Sequence, residues 1–358
     1  MERGLIFVMA GFALLGAIDR ILGNKLGLGR EFEKGILTMG ELALAMIGII
    51  TLAPVLANLL RPVVVPVFSF LGADPAMFAG TILACDMGGA ALAQGLTADP
   101  EAAILGGLVT GAMLGATVVF TIPVAIGILQ EADRPFFAKG VLCGIVTIPV
   151  GILVSGLVAG IPLGKILRNL VPILLIGGAV AVGLWKWERQ LLTAFGYFGK
   201  GITSLVTLGL GLAIFRGLTG MAILPGMEDI GKGFQTVGEI AIILAGAFPL
   251  VAVVTKLLQK PLGALGRKLG VNDVAAGGFV ATLANSIATF DRVKNMDDRG
   301  KVLNVAFAVS AAFVFGDHMG FTAGFAPQML PAMIVGKLVG GISAVAVAIL
   351  LTRKKAYS

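Results

Sequence analysis

Charged side chains are scarce. Only 13% of the 358 residues are Asp, Glu, Lys or Arg, where soluble domains carry about 25%. Histidine occurs once, at His318, and cysteine twice, at Cys85 and Cys143. Both cysteines lie in apolar runs, which suggests buried free thiols and no disulfide framework. The Gly-Lys pairs, such as Gly164-Lys165 and Gly231-Lys232, are not followed by Ser or Thr, so no P-loop is present. HExxH and GxSxG are also missing. These absences disfavour an ATP-driven pump, an intramembrane protease and a hydrolase, and no enzyme activity is expected. One histidine, with no Cys or carboxylate cluster at ligand spacing, predicts no metal site, and nothing implies a cofactor.

What fills the chain is apolar. Hydrophobic residues make up 57% and the mean hydropathy is +0.99. A bilayer core about 30 Å thick needs roughly 20 apolar helical residues per crossing. Such runs follow one another from end to end, leaving no room for a soluble domain. The fold class is therefore an all-α polytopic membrane protein. Fifty-two glycines suit helices packed closely in lipid. The net charge of +7 fits basic cytoplasmic loops rather than a nucleic-acid partner. The opening run, MERGLIFVMAGFALLGAIDRILG, lacks a small-residue cleavage site and is expected to be a first transmembrane helix.

The sequence repeats at an offset of about 197. GELALAMIG (40–48) returns as GEIAIILAG (238–246), LACD (83–86) as LANS (283–286), and CGIVTIPVGILVS (143–155) as GGISAVAVAILLT (340–352). The expected organisation is a first repeat over 3–160, a linking helix within 161–198 and a second repeat over 199–352. Each half offers five apolar segments: about 4–22, 38–60, 75–93, 101–129 and 138–160, then 201–220, 236–258, 273–290, 301–325 and 328–352. The third of each half is short and polar at its centre. If all eleven segments cross, Lys and Arg divide 11 to 15 between the two sides; if both third segments enter and return, they divide 6 to 20. Basic residues collect on the cytoplasmic side. Nine crossings with two re-entrant or broken segments are expected, with eleven crossings as the alternative. The N-terminus is then outside, the C-terminus cytoplasmic, and the two repeats inverted, an arrangement used by transporters.

A charge inside a membrane segment costs about 2.5–3.5 kcal/mol on insertion scales and is a functional candidate. Asp86 is the only charge in AMFAGTILACDMGGAALAQGL. It reads as a cation site, with Gly88 and Gly89 opening the backbone beside it, or as a carboxylate bonded to a nearby helix end. Asn285 and Ser286 hold the matching place and bind substrate or join helices. Asp317 and His318, in FVFGDHMGF, fall opposite Ile122-Pro123. Gly316 and Gly320 in one half and Pro123 in the other predict a break in both. His318 is a proton-responsive group or a hydrogen-bonded bridge. Glu41 and Glu239 recur at matching positions near expected helix starts, where an acid complements the helix dipole if it does not bind substrate. Asp74, Asp99, Asp133, Asp297 and Asp298 flank apolar runs and are expected to be solvated.

MFAGTILACDMGGAALA, FVATLANSIATFDRVKNMDDRGKVLNVAFAVSAAFVFGDHMGF and PAMIVGKLVGG resemble the bacterial ethanolamine-utilisation transporter family, the EutH type, over nearly the whole chain. The family pattern carries Asn where Ser286 stands, and many members have a longer stretch between the halves. The resemblance implies a permease of the bacterial cytoplasmic membrane with ethanolamine as substrate. The site residues above are read from this sequence and not carried over. A gated pore and a non-catalytic membrane subunit are the alternative functions, and a homo-oligomer is compatible with the reading. Ethanolamine, mostly an ammonium ion at neutral pH, needs a carboxylate for its charge and an amide or hydroxyl for its OH.

Overall fold

The computed structural model describes residues 2–352. Of the bases counted above, Arg353, Lys354 and Lys355 and the side chains of Arg3, Lys260 and Arg267 lie outside the described residues, as does the placing of the C-terminus. Among the described residues every regular element is helical, and seven helices are long and apolar enough to cross a membrane. The chain is a multi-pass, all-helical membrane protein.

The elements are α1 (Glu2–Ile21), α2 (Leu28–Phe70), two short helices α3 (Ala76–Ile82) and α4 (Ala90–Leu96), and a continuous α5 (Pro100–Ile128). Then come α6 (Arg134–Val158), α7 (Leu163–Lys186), α8 (Glu188–Thr219), α9 (Ile230–Lys268), α10 (Asp273–Ala284), α11 (Ser286–Phe290), α12 (Asp298–Ala311), α13 (Asp317–Phe325) and α14 (Leu330–Leu351). Several helices outrun their apolar runs. The expected 38–60 is part of a 43-residue helix with Pro54, Pro62 and Pro66 inside it, about 65 Å long. Proline is tolerated in such helices where neighbours re-satisfy the backbone, and near Pro54 the Glu228 N–H donates to Thr51 O at 2.9 Å. The expected 201–220 and 236–258 likewise extend back to Glu188 and Ile230.

Both polar third segments fold into hairpins. α3 and α4 join through extended Leu83 and Ala84 and one wide turn, Cys85–Gly89. The base is closed by Thr97 Oγ1 donating to Asp74 Oδ2 at 2.8 Å. Glycines of α5 fix the direction of the arms. A Cβ on Gly106 would meet Ala76 O at 2.5 Å, one on Gly107 would meet the Ala93 Cβ at 2.6 Å, and one on Gly115 would strike Leu83 O. The two arms therefore lie side by side on α5, with the tip near Gly111 and Gly115. α10 and α11 repeat the pattern around extended Asn285. Thr282 and Thr289 hydroxyls bond across the arms at 2.7 Å. Asn272 closes the base, its N–H donating to Asp297 Oδ1 at 2.8 Å and its Nδ2 to Asn295 O at 2.9 Å. Asp74, Thr97 and Asp99 thus share their structural positions with Asn272, Asn295 and Asp297, each pair separated by 198 residues.

The two bases lie at opposite ends of α5. Asp99 caps its start, accepting from Glu101 N and Ala102 N, and pairs with Lys165. Just past its end, Asp133 pairs with Lys301 at 2.9 Å, beside the second base. The 29-residue helix spans somewhat less than the roughly 43 Å of a regular α-helix, and with their bases at its two ends the hairpins approach each other tip to tip. Asp133 is not solvated as expected. It is 4% exposed because Lys301, itself stacked 5.0 Å over the Phe136 ring, neutralises it in place.

The expected break at Pro123 is absent. α5 runs through it with helical dihedrals, wound wide over 104–115 and 117–121, and that winding accommodates the proline that an α-helical ladder would reject. Pro123 instead packs on Gly199 of α8. The second half does break, between α12 and α13. There the Phe313 and Phe315 N–H groups turn aside to donate to Thr282 O and Leu283 O of the hairpin. α6 and α14, which carry the 143–155 and 340–352 repeat, pack on each other through small residues. Ser155 Oγ donates to Ala332 O at 2.9 Å, and Gly151 lies against Gly336 and Gly340.

Candidate functional site

The first hairpin tip is built by its glycines. Gly88 has φ +91°, a left-handed conformation, and a Cβ there would lie 2.3 Å from Ile49 Cγ1. Gly89 is helical and pressed against Ala84 O. This turn presents Asp86, whose side chain keeps 14% of its surface exposed. From the other half, α13 starts at Asp317 directly after the break, with Gly316 (φ −117°, ψ −132°) so close to Ala284 O that a Cβ would collide with it. His318 then projects toward the first hairpin, its Nε2 3.9 Å from Asp86 Oδ1.

Two cavities meet at Asp86. The smaller, about 280 Å³, is lined by Glu41, Asp86, Asn285, Asp317 and His318 together with Thr38, Phe120 and Phe313. The larger, about 500 Å³, is lined by Cys85, Asp86, Gln94, Gln235 and Glu239 and reaches Glu228 and Lys232. Asp86 is the one residue on both. α13 also touches both, His318 at one end and Phe321 and Phe325 toward the other.

Five of the seven sequence-predicted binding residues therefore line one cavity. Glu239 lines the other. Ser286 lines neither; it is fully buried and its hydroxyl has no hydrogen-bond partner among the described residues. Asn285 uses its carboxamide oxygen to cap α11, accepting from Ile287 N at 2.8 Å, which leaves its amide N–H groups for the cavity. Gly320 lies within α13, past the break at Gly316, and packs on Leu244 and Ile240. Glu41 and Glu239 do not sit in first turns. α2 starts at Leu28 and α9 at Ile230, so both acids lie well inside their helices, past the reach of the dipole. Glu239 accepts from Gln235 Nε2 at 2.9 Å.

Three groups were not predicted. Lys337 of α14 is 1% exposed and donates from Nζ to Ala112 O at 2.5 Å. A lone lysine in the last apolar run was the visible signal. Phe313 holds a left-handed φ of 62°, a strained conformation for an aromatic residue, and its ring lies 5.2 Å from His318 and 5.5 Å from Phe120. Sequence spacing also hid a donor cluster: one atom each from Cys85, Asp86 and His318 lie within 4.8 Å of one another.

A family model described as "Ethanolamine utilisation protein, EutH" matches residues 1–351. The chain belongs to the EutH family. This EutH chain is 56% identical over 350 residues to a Listeria monocytogenes (serotype 1/2a, strain 10403S) protein named "Probable ethanolamine permease EutH", covering 98% of this chain and 94% of the relative. It is 48% identical over 352 residues to "Uncharacterized protein YxeR" of Bacillus subtilis (strain 168), covering 98% and 95%. An Escherichia coli (strain K12) protein, again named "Probable ethanolamine permease EutH", is 43% identical over 389 residues, covering 98% and 95%. No solved structure matches the chain. In this EutH chain Asp86 is a carboxylate shared by the walls of two cavities.

Proposed function

We propose that the chain carries ethanolamine across the bacterial cytoplasmic membrane by alternating access. The observation that supports this most is the position of Asp86, at the tip of one hairpin and on the wall of both cavities. A carrier needs one site reached in turn from two sides, and a cation site needs a carboxylate that replaces water. Asp86 would hold the ammonium, Asp317 would add to the negative field, and the Asn285 amide would take the hydroxyl. In this reading the repeats are inverted, the hairpins re-enter without crossing, and nine helices cross, α12 and α13 together counting as one. Glu41 and Glu239, repeat mates on opposite cavities, draw the cation in from either side.

The test is uptake of radiolabelled ethanolamine by the pure protein in liposomes, with sodium, pH and potential set separately. Saturable uptake, accelerated by unlabelled ethanolamine on the opposite side, supports a carrier. Flux that does not saturate and shows no countertransport rejects alternating access in favour of a gated pore.

A further inference from the structure

We infer that Cys85, Asp86 and His318 form a binding site for a borderline-soft divalent cation such as Zn²⁺, and that its occupant and the amine exclude each other. The second clause rests on the assignment of the ammonium to Asp86 made above.

The donor set carries the choice of metal. A thiolate, an imidazole and one carboxylate match Zn²⁺ or Co²⁺, whereas Mg²⁺ and Ca²⁺ want oxygen ligands throughout. The three donor atoms lie within 4.8 Å of one another. Zinc–ligand bonds of about 2.0–2.3 Å put tetrahedral ligands roughly 3.4–3.8 Å apart, so side-chain adjustments of about 1 Å close the site. Three protein ligands leave a fourth position for water. Binding replaces the thiol proton, which leaves to the medium, and the thiolate and carboxylate then neutralise the dication.

The site has a route in and a mechanical consequence. Cys85 and Asp86 both line the larger cavity. The ligands come from two elements, the first hairpin tip and the start of α13. A bound metal would staple the two halves together at the point where a carrier must change. His318 Nδ1 is buried with no hydrogen-bond partner among the described residues, so no second-shell acceptor orients the ring. That favours a reversible, inhibitory site over a permanent structural one.

The experiment uses the purified full chain in nanodiscs. Co²⁺ titration should give a near-ultraviolet thiolate-to-cobalt charge-transfer band that saturates at one equivalent and is bleached by Zn²⁺. Cys85→Ser should abolish the band and Cys143→Ser keep it. His318→Gln should weaken Co²⁺ binding at least about tenfold, with monodispersity and helical circular dichroism retained in each variant. Ethanolamine in excess should raise the Co²⁺ concentration needed to saturate. No band in folded wild-type protein, or a band unchanged in Cys85→Ser, overturns the site. A band that Cys85→Ser removes but ethanolamine does not shift overturns the overlap alone. Ethanolamine binding by calorimetry in the same nanodiscs tests the amine assignment without metal, so the two failures are told apart.

Discussion

Asp86 has no hydrogen-bonded basic partner among the described residues. His318 stands 3.9 Å away, beyond a hydrogen bond, and Lys337 gives its ammonium to Ala112 O. In the proposed function a substrate ammonium would be that direct partner. Asp86→Asn keeps the size and removes the charge, and a buried pair that loses one partner forfeits about 3–5 kcal/mol. The variant should insert and stay folded, yet bind ethanolamine more than about a hundredfold more weakly by calorimetry, while Asp86→Glu retains part of the affinity. Wild-type affinity in Asp86→Asn would move the cation to Asp317. In the proposed orientation the two glutamates divide by side. Glu239→Gln should raise the KM for external ethanolamine several-fold, most at low salt where steering by charge is unscreened, and Glu41→Gln should do so for internal substrate. Equal effects of either variant from both sides would refute the vestibule roles. The sequence exposed Asp86, Asn285 and Asp317 because a polar group in an apolar run stands out by itself. It hid the Cys85–His318 proximity, which joins residues more than 200 positions apart, and the strain at Phe313, which comes from its contact with the second hairpin.

At the scale of elements, the hairpins were legible and the helix lengths were not. The third segments are short, Gly- and Ala-rich and polar at the centre, and the division of basic residues favours entry and return on one side. Helix extension, by contrast, depends on neighbours. Pro54, Pro62 and Pro66 argue for ends when α2 is taken alone, and Pro123 argues for a kink until α5 is wound wide around it. The same dependence placed Asp133. A flanking carboxylate looks solvated until Lys301, in the other half, comes to meet it at 2.9 Å. With both side chains largely buried, Asp133→Asn should cost about 3 kcal/mol, seen as a lower thermal midpoint in detergent. Adding Lys301→Met should recover part of that loss, because the ammonium, left with only the exposed Asp298 at 3.4 Å, goes with it; a double variant no more stable than the single one would show that the pair does not act as a unit. Gly88→Ala tests the first tip. Its φ of +91° and the Ile49 side chain in the way leave no relaxed place for a methyl. Ethanolamine affinity should fall with helix content unchanged, and normal affinity would mean that the tip's shape does not set the site.

For the whole molecule, charge distribution and hairpin geometry bear on the same question from different directions. The basic residues divide 6 to 20, rather than 11 to 15, once both third segments enter and return, and the hairpin bases at opposite ends of α5 follow from contacts. Both fit nine crossings. Residues 71–74 and 95–100 should then be labelled as cysteines from outside, and 267–272 and 291–300 from inside; opposite sidedness across either hairpin would restore eleven crossings. Energetics gives the last test. Ethanolamine moves as a single positive charge, and if Asp86 stays charged in the empty carrier, the net charge carried per cycle is that of the substrate. An inside-negative potential of about 100 mV is worth about 2.3 kcal/mol per charge, which corresponds to roughly 50-fold accumulation. Liposomes clamped at that potential, free of sodium and with equal pH on both sides, should reach about this ratio, and collapsing the potential should release the label to equality. Accumulation well beyond it, or none without a sodium or proton gradient, would mean that a second ion moves with the substrate, and a carrier of substrate charge alone would be rejected.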